Sequence, residues 1–467
     1  MKRLLLVLVP LAVFAQVVVD TIIRLPVAIR PGVYLQDLNK LYLCSYAEDQ
    51  FLVLDCSTYQ LKAQIPVEGN GSYRYTYNWR RQKLYVNFGV WPESTLVIDA
   101  AADSILRWLD VYREFRNDVY LSDLDVRFKP AVDTLYEYEC DADTIIRRWP
   151  IHSTYASWDS VNHKLYVGQG SWAKLYVYDY LADSFLKVID VGAINTRMSD
   201  ACMFCYNYHR AFVSHWHGDY VEQEVGIIDT QRDTLVRVLP VDAEWGLYTH
   251  VAVDQRDGKA YVASYPRTMW IVDCANDSVL KKFDLGEGGR TDECIRWVPW
   301  SNRIYVLHYL LGETNLDIID CNTDSVIVSE MRLGHCGDLQ LDPVHQRIFA
   351  IGASDTNCVW VLRDTGYAAV ETPKTELPAG SGLQARMVSG GCDIEYSLAV
   401  PGHVELSVYD QLGRQVRQLV AEDQVAGQHR VTWDCRDSSA HRAPAGIYFC
   451  RLQAGGATQS KRVTLIR

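Results

Sequence analysis

The residues best able to do chemistry are concentrated in one stretch, CMFCYNYHRAFVSHWHGDY, at positions 202–220. The stretch contains Cys202, Cys205, His209, His215 and His217. Thiolate and imidazole groups are preferred ligands of zinc and other transition metals. The stretch is therefore either a metal site or strand sequence that carries these residue types, and the elements around it decide between the two.

The composition indicates a globular, β-rich and acidic chain. Hydrophobic residues make up 48% of the 467 residues and charged residues 22%, which is too apolar for a disordered protein. The 29 Tyr and 13 Trp favour β-sheet, where flat rings pack well on a pleated surface. The formal net charge of -12, with no basic cluster to offset it, argues against nucleic acid as a partner.

The N-terminus, MKRLLLVLVPLAVFAQ, has the pattern of a signal peptide. Lys2 and Arg3 precede an apolar run, and VFA at 13–15 provides a cleavage site of small-residue type. The run is too short to span a bilayer, and no later segment is apolar for long enough. We therefore predict a signal peptide at 1–15 and an exported protein without a membrane span, located in the periplasm, at the cell surface or in the medium.

A repeat dominates the chain between residues 16 and 366. Segments such as KLYVGQGSWAKLYVYD, which read as two alternating strands around a loop, recur along it. Their aligned aromatic residues are Tyr42, Tyr85, Phe128, Tyr166, Phe212, Tyr261, Tyr305 and Phe349. The spacing of 38 to 49 residues is that of a four-stranded propeller blade. We predict an all-β, eight-bladed β-propeller, with seven blades as the alternative if the degenerate third unit is not a blade.

Two acidic positions recur in register with the aromatic residue. The first ends the third strand of a unit and is occupied by Asp55, Asp99, Glu139, Asp179, Asp229, Asp273 and Asp320. The second precedes Ser or Thr in the following turn and is occupied by Asp103, Asp143, Asp183, Asp233, Asp277 and Asp324. A short carboxylate in a tight turn commonly bonds its own backbone, so we expect these residues to shape turns.

The ring also has to close, because a terminal blade would otherwise expose a sheet edge. The eighth unit ends after NCVWVLRDTG without a fourth strand, whereas VVVDTIIRLPV near the N-terminus matches fourth strands such as DTIIRRWPI. We predict that the N-terminal strand completes the last blade. These repeats resemble the YVTN/cytochrome-D1-type propeller family, and the resemblance implies an architecture but no particular chemistry.

The C-terminal region has a different pattern. Residues 367–388, rich in Pro, Ala and Gly, are predicted to be a linker, and the alternation in VELSVYD and HRVTWD predicts a small β-sandwich over 389–467. This part resembles the Ig-like domain of flagellar hook-capping proteins and of C-terminal sorting domains of type IX secretion cargo. The matching residues are Val408, Tyr409, Asp410, Gly413, Arg414, Ala426, Gly427, Trp433, Asp434, Arg436, Asp437, Pro444, Ala445, Gly446, Ile447 and Tyr448. The resemblance implies a module for sorting or surface attachment. Cys435 and Cys450 depart from the family pattern, and the sequence leaves open whether they pair.

One face of the propeller carries the candidate binding residues. In a four-stranded meander, the loops between strands two and three lie on the same face as the connections between units. The sequence places Trp91, Trp172, His215, Trp216, His217, Arg267, His308 and Tyr309 there. Exposed aromatic residues together with His and Arg suit a protein or glycan ligand. The alternative is that these side chains only pack neighbouring loops together.

The cysteines and histidines do not converge on a predicted metal site. Cys202 and Cys205 are three apart on one strand and therefore point to opposite faces. Four other cysteines follow the acidic strand ends of four different units: Cys56, Cys140, Cys274 and Cys321. We predict no metal, no cofactor and no catalytic residue. His215, Trp216 and His217 remain as a patch on the loop face.

The predicted function is that of an exported binding or scaffold protein. Its partner would be a protein or a glycan on the propeller face, and its C-terminal module would engage secretion or cell-surface machinery. The alternative is an enzyme of lyase or lactonase type, which would need a histidine base on that face. Its candidates are His215, His217, His250 and His308, and whether the protein is an enzyme stays open. A haem protein is disfavoured because the sequence has no C-x-x-C-H motif.

Overall fold

A computed structural model describes most of the chain between residues 15 and 465. The ranges within it that are left out are 46–47, 68–72, 89–93, 111–117, 123, 132, 152, 154, 170–173, 192–196, 199–201, 217–222, 242–248, 265–267, 286–289, 311–312, 354–355, 368–382, 389–390, 399–401, 411–414, 426 and 455–456. Regular structure in the described residues consists of antiparallel strands and one 3-10 turn at Tyr206–Tyr208.

Strand β1 (Ala15–Arg24) begins the described chain. The next four repeat units contain β2 (Ile29–Leu35), β3 (Lys40–Ser45), β4 (Gln50–Asp55), β5 (Gln60–Pro66), β6 (Tyr73–Asn78), β7 (Lys83–Phe88), β8 (Ser94–Asp99), β9 (Ser104–Asp110), β10 (Val119–Leu121), β11 (Val126–Pro130), β12 (Leu135–Glu139), β13 (Thr144–Trp149), β14 (Tyr155–Asp159), β15 (Lys164–Gln169), β16 (Lys174–Asp179) and β17 (Ser184–Asp190).

The last four repeat units contain β18 (Arg197–Met198), β19 (Met203–Cys205), β20 (Arg210–Trp216), β21 (Gln223–Asp229), β22 (Thr234–Val241), β23 (His250–Asp254), β24 (Lys259–Ser264), β25 (Thr268–Asp273), β26 (Ser278–Asp284), β27 (Arg290–Val298), β28 (Arg303–Leu310), β29 (Glu313–Asp320), β30 (Ser325–Arg332), β31 (Cys336–Asp342), β32 (Arg347–Gly352) and β33 (Cys358–Tyr367). The C-terminal region contains β34 (Gln384–Val388), β35 (Gly391–Leu398), β36 (Gly402–Asp410), β37 (Gln415–Gln424), β38 (Gly427–Trp433), β39 (Gly446–Ala454) and β40 (Ala457–Leu465).

Each repeat unit forms one antiparallel sheet, and the described residues of 15–367 contain eight such sheets. Consecutive sheets contact one another in chain order through their first and second strands, and β31 of the last sheet contacts β2 of the first, so the sheets form a closed ring. The N-terminal strand closes it, because β1 pairs antiparallel with β33 in a register that sets Ile23 opposite Val359. The prediction that the N-terminal strand completes the eighth unit is therefore confirmed.

The meander gives the ring two different faces. Tight turns join strand one to strand two and strand three to strand four, and both sets lie on one face, which we call the turn face. The connections between strands two and three, and between consecutive units, lie on the opposite face, which we call the loop face. Most connections on the loop face lie outside the described residues.

Alternate residues of the second strand in a sheet pack against the preceding and the following sheet, as Leu41 and Tyr42 do in β3. The same alternation places the two cysteines of the C-x-x-C pair on opposite sides of their sheet. Cys202 belongs to a buried cluster with Tyr155 of the fourth sheet, whereas Cys205 belongs to one with Val251 of the sixth. The two thiols thus lie on opposite sides of the fifth sheet, as their spacing predicts.

The outer strands share a β-bulge close to the turn face. In the second sheet, Val97 pairs with Arg107 and Ile98 pairs with Ile105, so Leu106 is the extra residue. The same irregularity recurs in all eight sheets of the described ring. A bulge twists the exposed edge and opposes pairing with another sheet. It also directs the next residue sideways, since Arg107 donates to the Ala142 carbonyl of the third sheet at 2.7 Å.

The C-terminal region is a sandwich of two sheets, with orders β34-β35-β38 and β37-β36-β39-β40. Trp433 is its largest buried side chain, with its ring centroid 4.9 Å from that of Tyr448. Strand β34 lies within the range predicted to be a linker. It is an edge strand whose residues are all partly or fully exposed, and its alternate residues Ala385 and Met387 pack against the core of the sandwich.

Candidate functional site

The structure describes only part of the predicted binding face. Trp91, Trp172, His217 and Arg267 lie outside the described residues. His215 and Trp216 lie in β20, and Tyr309 lies in β28, but only their backbones are described. The proposed convergence of these side chains on one surface therefore stays a prediction.

His308 does not lie on the exposed face where the sequence placed it. Strand β28 continues to Leu310, so His308 is part of the sheet, opposite Asn315, and its side chain is fully buried. Its Nδ1 lies 3.2 Å from Oδ2 of the buried Asp317. Side chains alternate between the two sides of β28, which begins at Arg303. Ile304 and His308 are both an odd number of positions from Arg303, so the His308 side chain points towards the preceding sheet, against which Ile304 packs.

The turn face carries a recurring link between neighbouring sheets. Tyr85 of β7 donates its hydroxyl to Oδ1 of Asp143 in the third sheet at 2.6 Å, and Nζ of Lys83 lies 2.9 Å from Oδ2. Asp143 has a left-handed backbone with φ of 58°, which places its carboxylate towards the second sheet. We call this Lys-Tyr-Asp arrangement a clasp. Burial and Asp143 raise the pKa of Tyr85, which keeps the hydroxyl a proton donor.

The clasp corrects one sequence interpretation, because these aspartates bond a neighbouring sheet, not only their own turn. The full clasps are Lys40 and Tyr42 with Asp103, Lys83 and Tyr85 with Asp143, Lys164 and Tyr166 with Asp233, and Lys259 and Tyr261 with Asp324. The seventh sheet uses Arg303 and Tyr305 with Asp364. The turn itself is capped by the other acidic position. Asp99, for example, accepts from the backbone N–H of Ala101 and of Ala102 at 2.9 Å.

Units that lack the tyrosine use a different contact. Phe212 has no hydroxyl, and in its unit Arg210 binds both carboxylate oxygens of Asp277 at 2.7 and 2.9 Å. Where the first unit has Tyr59 instead of aspartate, Arg347 of the last unit donates to the Tyr59 hydroxyl at 3.1 Å. The interface between the last and first sheets is therefore linked in the same place as the others.

A second polar cluster is buried between the second and third sheets. Arg127 is fully buried, with its guanidinium carbon 4.3 Å from the ring centroids of both Tyr85 and Tyr138, and it forms an ion pair with Asp118. Burial lowers the pKa of Arg127, but the Asp118 carboxylate outweighs this and holds the pKa above its usual value. Lys129 lies 3.7 Å from the same carboxylate.

The Arg127 cluster reaches towards the loop face. Lys129 donates to Asn87 Oδ1 at 2.6 Å and to Thr95 Oγ1 at 3.1 Å, and these two residues flank the connection between β7 and β8. The equivalent of Arg127 is apolar in the neighbouring units, as in Leu84 and Leu165. Sequence reasoning missed the cluster, although a basic residue at an otherwise apolar repeat position is a detectable signal.

Within the described part of the chain, no group of three or more His, Cys, Asp or Glu side chains could hold a metal ion. The described polar clusters consist mostly of paired charges and hydrogen-bonded amides. Such groups fix sheets against one another and can position a polar ligand.

The Ig-like sandwich contacts the turn face. Arg462 donates to the backbone oxygen of Asp37 at 3.0 Å, in the first turn of the first unit. Arg451 lies 2.6 Å from the side-chain amide of Gln346, in the first turn of the eighth unit, and donates to its oxygen when that amide is turned to accept. The sandwich is thus attached beside the point where the ring closes, on the face opposite the loop connections.

Comparison with known proteins agrees with this division into two parts. Residues 389–457 match the FlgD Ig-like domain family. The structure is similar to the crystal structure of BamB from Moraxella catarrhalis, with a TM-score of 0.55 and 10% sequence identity, over 74% of this chain and 100% of that chain. No curated protein matches the chain. The protein is a β-propeller that carries a C-terminal Ig-like domain, an architecture consistent with a scaffold or binding protein. Among the described residues, no helix is long and apolar enough to cross a membrane.

Proposed function

We propose that this protein is an exported, non-catalytic binding scaffold of YVTN type. Its loop face would bind a protein or a glycan, and its Ig-like domain would serve sorting or attachment at the cell surface. Trp172, Trp216, His217 and Arg267 are the residues that we expect to contact the partner. Aromatic and arginine side chains of this kind dominate many binding surfaces.

The observation that supports this proposal is the difference between the two faces of the ring. The turn face is fixed by buried clasps such as Lys83–Asp143, and it carries the Ig-like contacts at Asp37 and Gln346. A module attached to the turn face leaves the opposite face available to a partner. Longer connections on a rigid ring are where repeat proteins usually bind.

Site-specific cross-linking tests which face is used. A photo-reactive amino acid replaces Trp172, which the sequence predicts to lie on the loop face. The same group at position 181 is the matched control, because Leu181 is exposed on the turn face of the same unit. We expect defined cross-linked species in producing cells from 172 and none from 181. Cross-links from 181 alone, or equally from both positions, would contradict the proposal.

A truncation tests the role of the Ig-like domain. Removing residues 376–467 leaves the strands that close the ring, β1 and β33, in place. We expect the truncated protein to be exported from the cytoplasm but to be lost from the cell surface. Unchanged surface retention would rule out sorting or attachment by this domain.

The alternative function, an enzyme of lyase or lactonase type, makes a different prediction. Its histidine base must reach a substrate on the loop face, and His308 is buried against Asp317. His215, His217 and His250 are the remaining candidates, and His250 opens β23 with a partly buried side chain. Metal analysis of the purified protein and of its His215→Ala and His217→Ala variants tests this alternative, which requires metal that is lost in the variants.

A further inference from the structure

Two buried cysteines face each other across the Ig-like sandwich. Cys392 lies on β35, the central strand of one sheet, and Cys450 lies on β39, a central strand of the other. Both side chains are fully buried in the core that contains Trp433. The 13 cysteines all lie in the described residues, where they are present as reduced thiols.

The two thiols are in direct contact. Both belong to one buried cluster, and their mutual contact lowers the pKa of Cys392 and raises the pKa of Cys450. The strands pair with different neighbours, since Cys392 lies opposite Trp433 and Cys450 lies opposite Val408. A bond between the sulfurs would therefore join the two sheets directly.

The propeller contains a second pair of this kind. Cys205 ends β19 in the fifth sheet, and Cys274 follows β25 in the sixth. Both are fully buried in one cluster, and contact with Cys205 raises the pKa of the Cys274 thiol. This interface lacks a tyrosine hydroxyl, because its aromatic residue is Phe212. The true neighbour of Cys205 is thus Cys274, 69 positions along the chain, and not Cys202.

We propose that Cys392–Cys450 and Cys205–Cys274 are disulfide sites, which close when the chain folds in an oxidising compartment. Such compartments support disulfides in exported proteins. The oxidant is a small-molecule or protein disulfide, for which oxidised glutathione is the model. The Cys392 thiolate attacks one glutathione sulfur and releases glutathione. The Cys450 thiolate then attacks the Cys392 sulfur and releases the second glutathione. Two protons leave the cysteines, and their two electrons reduce the glutathione disulfide.

The other cysteines provide internal controls. Cys435 also lies beside this core, and burial, together with the nearby Cys392, raises the pKa of Cys435. It is the competing partner that the sequence pattern suggests. Cys56, Cys140 and Cys321 occupy the same repeat position as Cys274 and are equally buried, with no second thiol among their described hydrogen bonds.

Peptide mapping of the full chain tests both pairs. The protein is unfolded under reducing conditions, refolded with reduced and oxidised glutathione, alkylated and digested without reduction. We expect the 392–450 and 205–274 peptides to be cross-linked and the other cysteines to be alkylated. The Cys435→Ala variant should give the same map. Alkylation of both members of a pair, or a cross-link from Cys435 to Cys392 or Cys450, overturns the proposal for that pair.

Thermal unfolding provides a second measurement. Oxidation should raise the Tm of the Ig-like domain by on the order of 10 °C, because the bond closes a long loop in the unfolded chain. The Cys392→Ala variant should show no difference between oxidised and reduced samples. Since a core substitution can itself impair folding, the peptide map of the unsubstituted protein decides the question if that variant does not fold.

Discussion

The Tyr85 hydroxyl and the Asp143 carboxylate, in two different sheets, are joined by a hydrogen bond of 2.6 Å. Lys83 completes the clasp with an ion pair to the same carboxylate, and the Asp143 side chain is fully buried. In a ring whose sheets contact only their neighbours, stability depends on the interfaces between the sheets as much as on each sheet. The clasps are the recurring polar part of those interfaces, and they lie at the turn face.

Asp143→Asn should therefore lower the unfolding free energy of the protein substantially. The substitution removes the charge of the buried Asp143 and leaves the partly buried Lys83 without its counter-ion, and breaking a buried pair costs about 3 kcal/mol of unfolding free energy. Asparagine tolerates a left-handed backbone, so the turn itself is kept. Chemical denaturation monitored by tryptophan fluorescence measures the change.

Asp183→Asn is the matched control for this prediction. Asp183 stands at the same turn position with φ of 49°, but its side chain is largely exposed and pairs with the exposed Arg147. Exposed pairs contribute little to stability, so no measurable change is expected. Equal losses in the two variants would show that the turn, and not the clasp, is responsible.

The sequence predicts the architecture well because its signals are local. Each of these signals lies within one repeat unit: the alternation within strands, the aromatic residue aligned with Tyr85, and the Asp-Ser or Asp-Thr turn. The match of the N-terminal strand to other fourth strands predicts the pairing of β1 with β33. The pairing of Asp143 with Lys83 is not predictable in this way, because Lys83 lies 60 positions earlier in the chain. The residues around Asp143 do not indicate which sheet its carboxylate faces.

The candidate site is less predictable, for physical reasons that His308 and Arg127 illustrate. Whether His308 is exposed depends on how far β28 extends and on the side of the strand to which the residue points, and an error of one position reverses the answer. Arg127 looks like a surface residue by type. It is buried because Asp118 and two tyrosine rings surround its charge.

Asp254 should make stability depend on pH between about 4 and 6. Burial raises the pKa of Asp254 from 3.8 to about 6, and among the described residues its Oδ2 has no hydrogen-bond partner. The folded protein therefore holds this proton more tightly than the unfolded chain does. This contribution is fully present below pH 3.8 and is lost as the pH rises through 6, to a total of about 3 kcal/mol. Urea unfolding across this pH range measures the slope.

Asp342 provides the opposite case at the same repeat position. Burial would raise its pKa, but His345 and Arg347 outweigh burial and hold the pKa of Asp342 below its usual value. In the Asp254→Asn variant, the unfolding free energy should no longer fall as the pH rises towards 6. In the Asp342→Asn variant, the unfolding free energy should no longer rise as the pH increases towards about 4. If Asp254→Asn has the same pH profile as the unsubstituted protein, then Asp254 is not the group responsible.

Asp118 should be essential for the buried cluster between the second and third sheets. Asp118→Asn leaves Arg127 and Lys129 buried without their carboxylate, and we expect a loss of about 3 kcal/mol. The double variant Asp118→Asn, Arg127→Leu carries the leucine found in neighbouring units and should regain part of that loss. Denaturant midpoints of Asp118→Asn, of Arg127→Leu and of the double variant measure this coupling. If the double variant is as unstable as the sum of its single substitutions, the two residues do not act as a pair.

Removal of β1 should affect the whole ring, because this strand supplies the outer edge of the eighth sheet. A chain that begins after Arg24 loses the pairing of Ile23 with Val359 and the buried contacts of Ile23, and it exposes the edge of β33. We expect the unfolding free energy to fall by more than about 5 kcal/mol, with aggregation at high protein concentration. Removal of 376–467 is the matched control, since it deletes a longer segment that forms no strand of the ring. Its propeller should keep the unfolding midpoint of the full chain, as measured by circular dichroism. If both truncations destabilise the propeller equally, ring closure by β1 does not account for its stability, and the Ig-like contacts at Asp37 and Gln346 contribute as much as the closing strand.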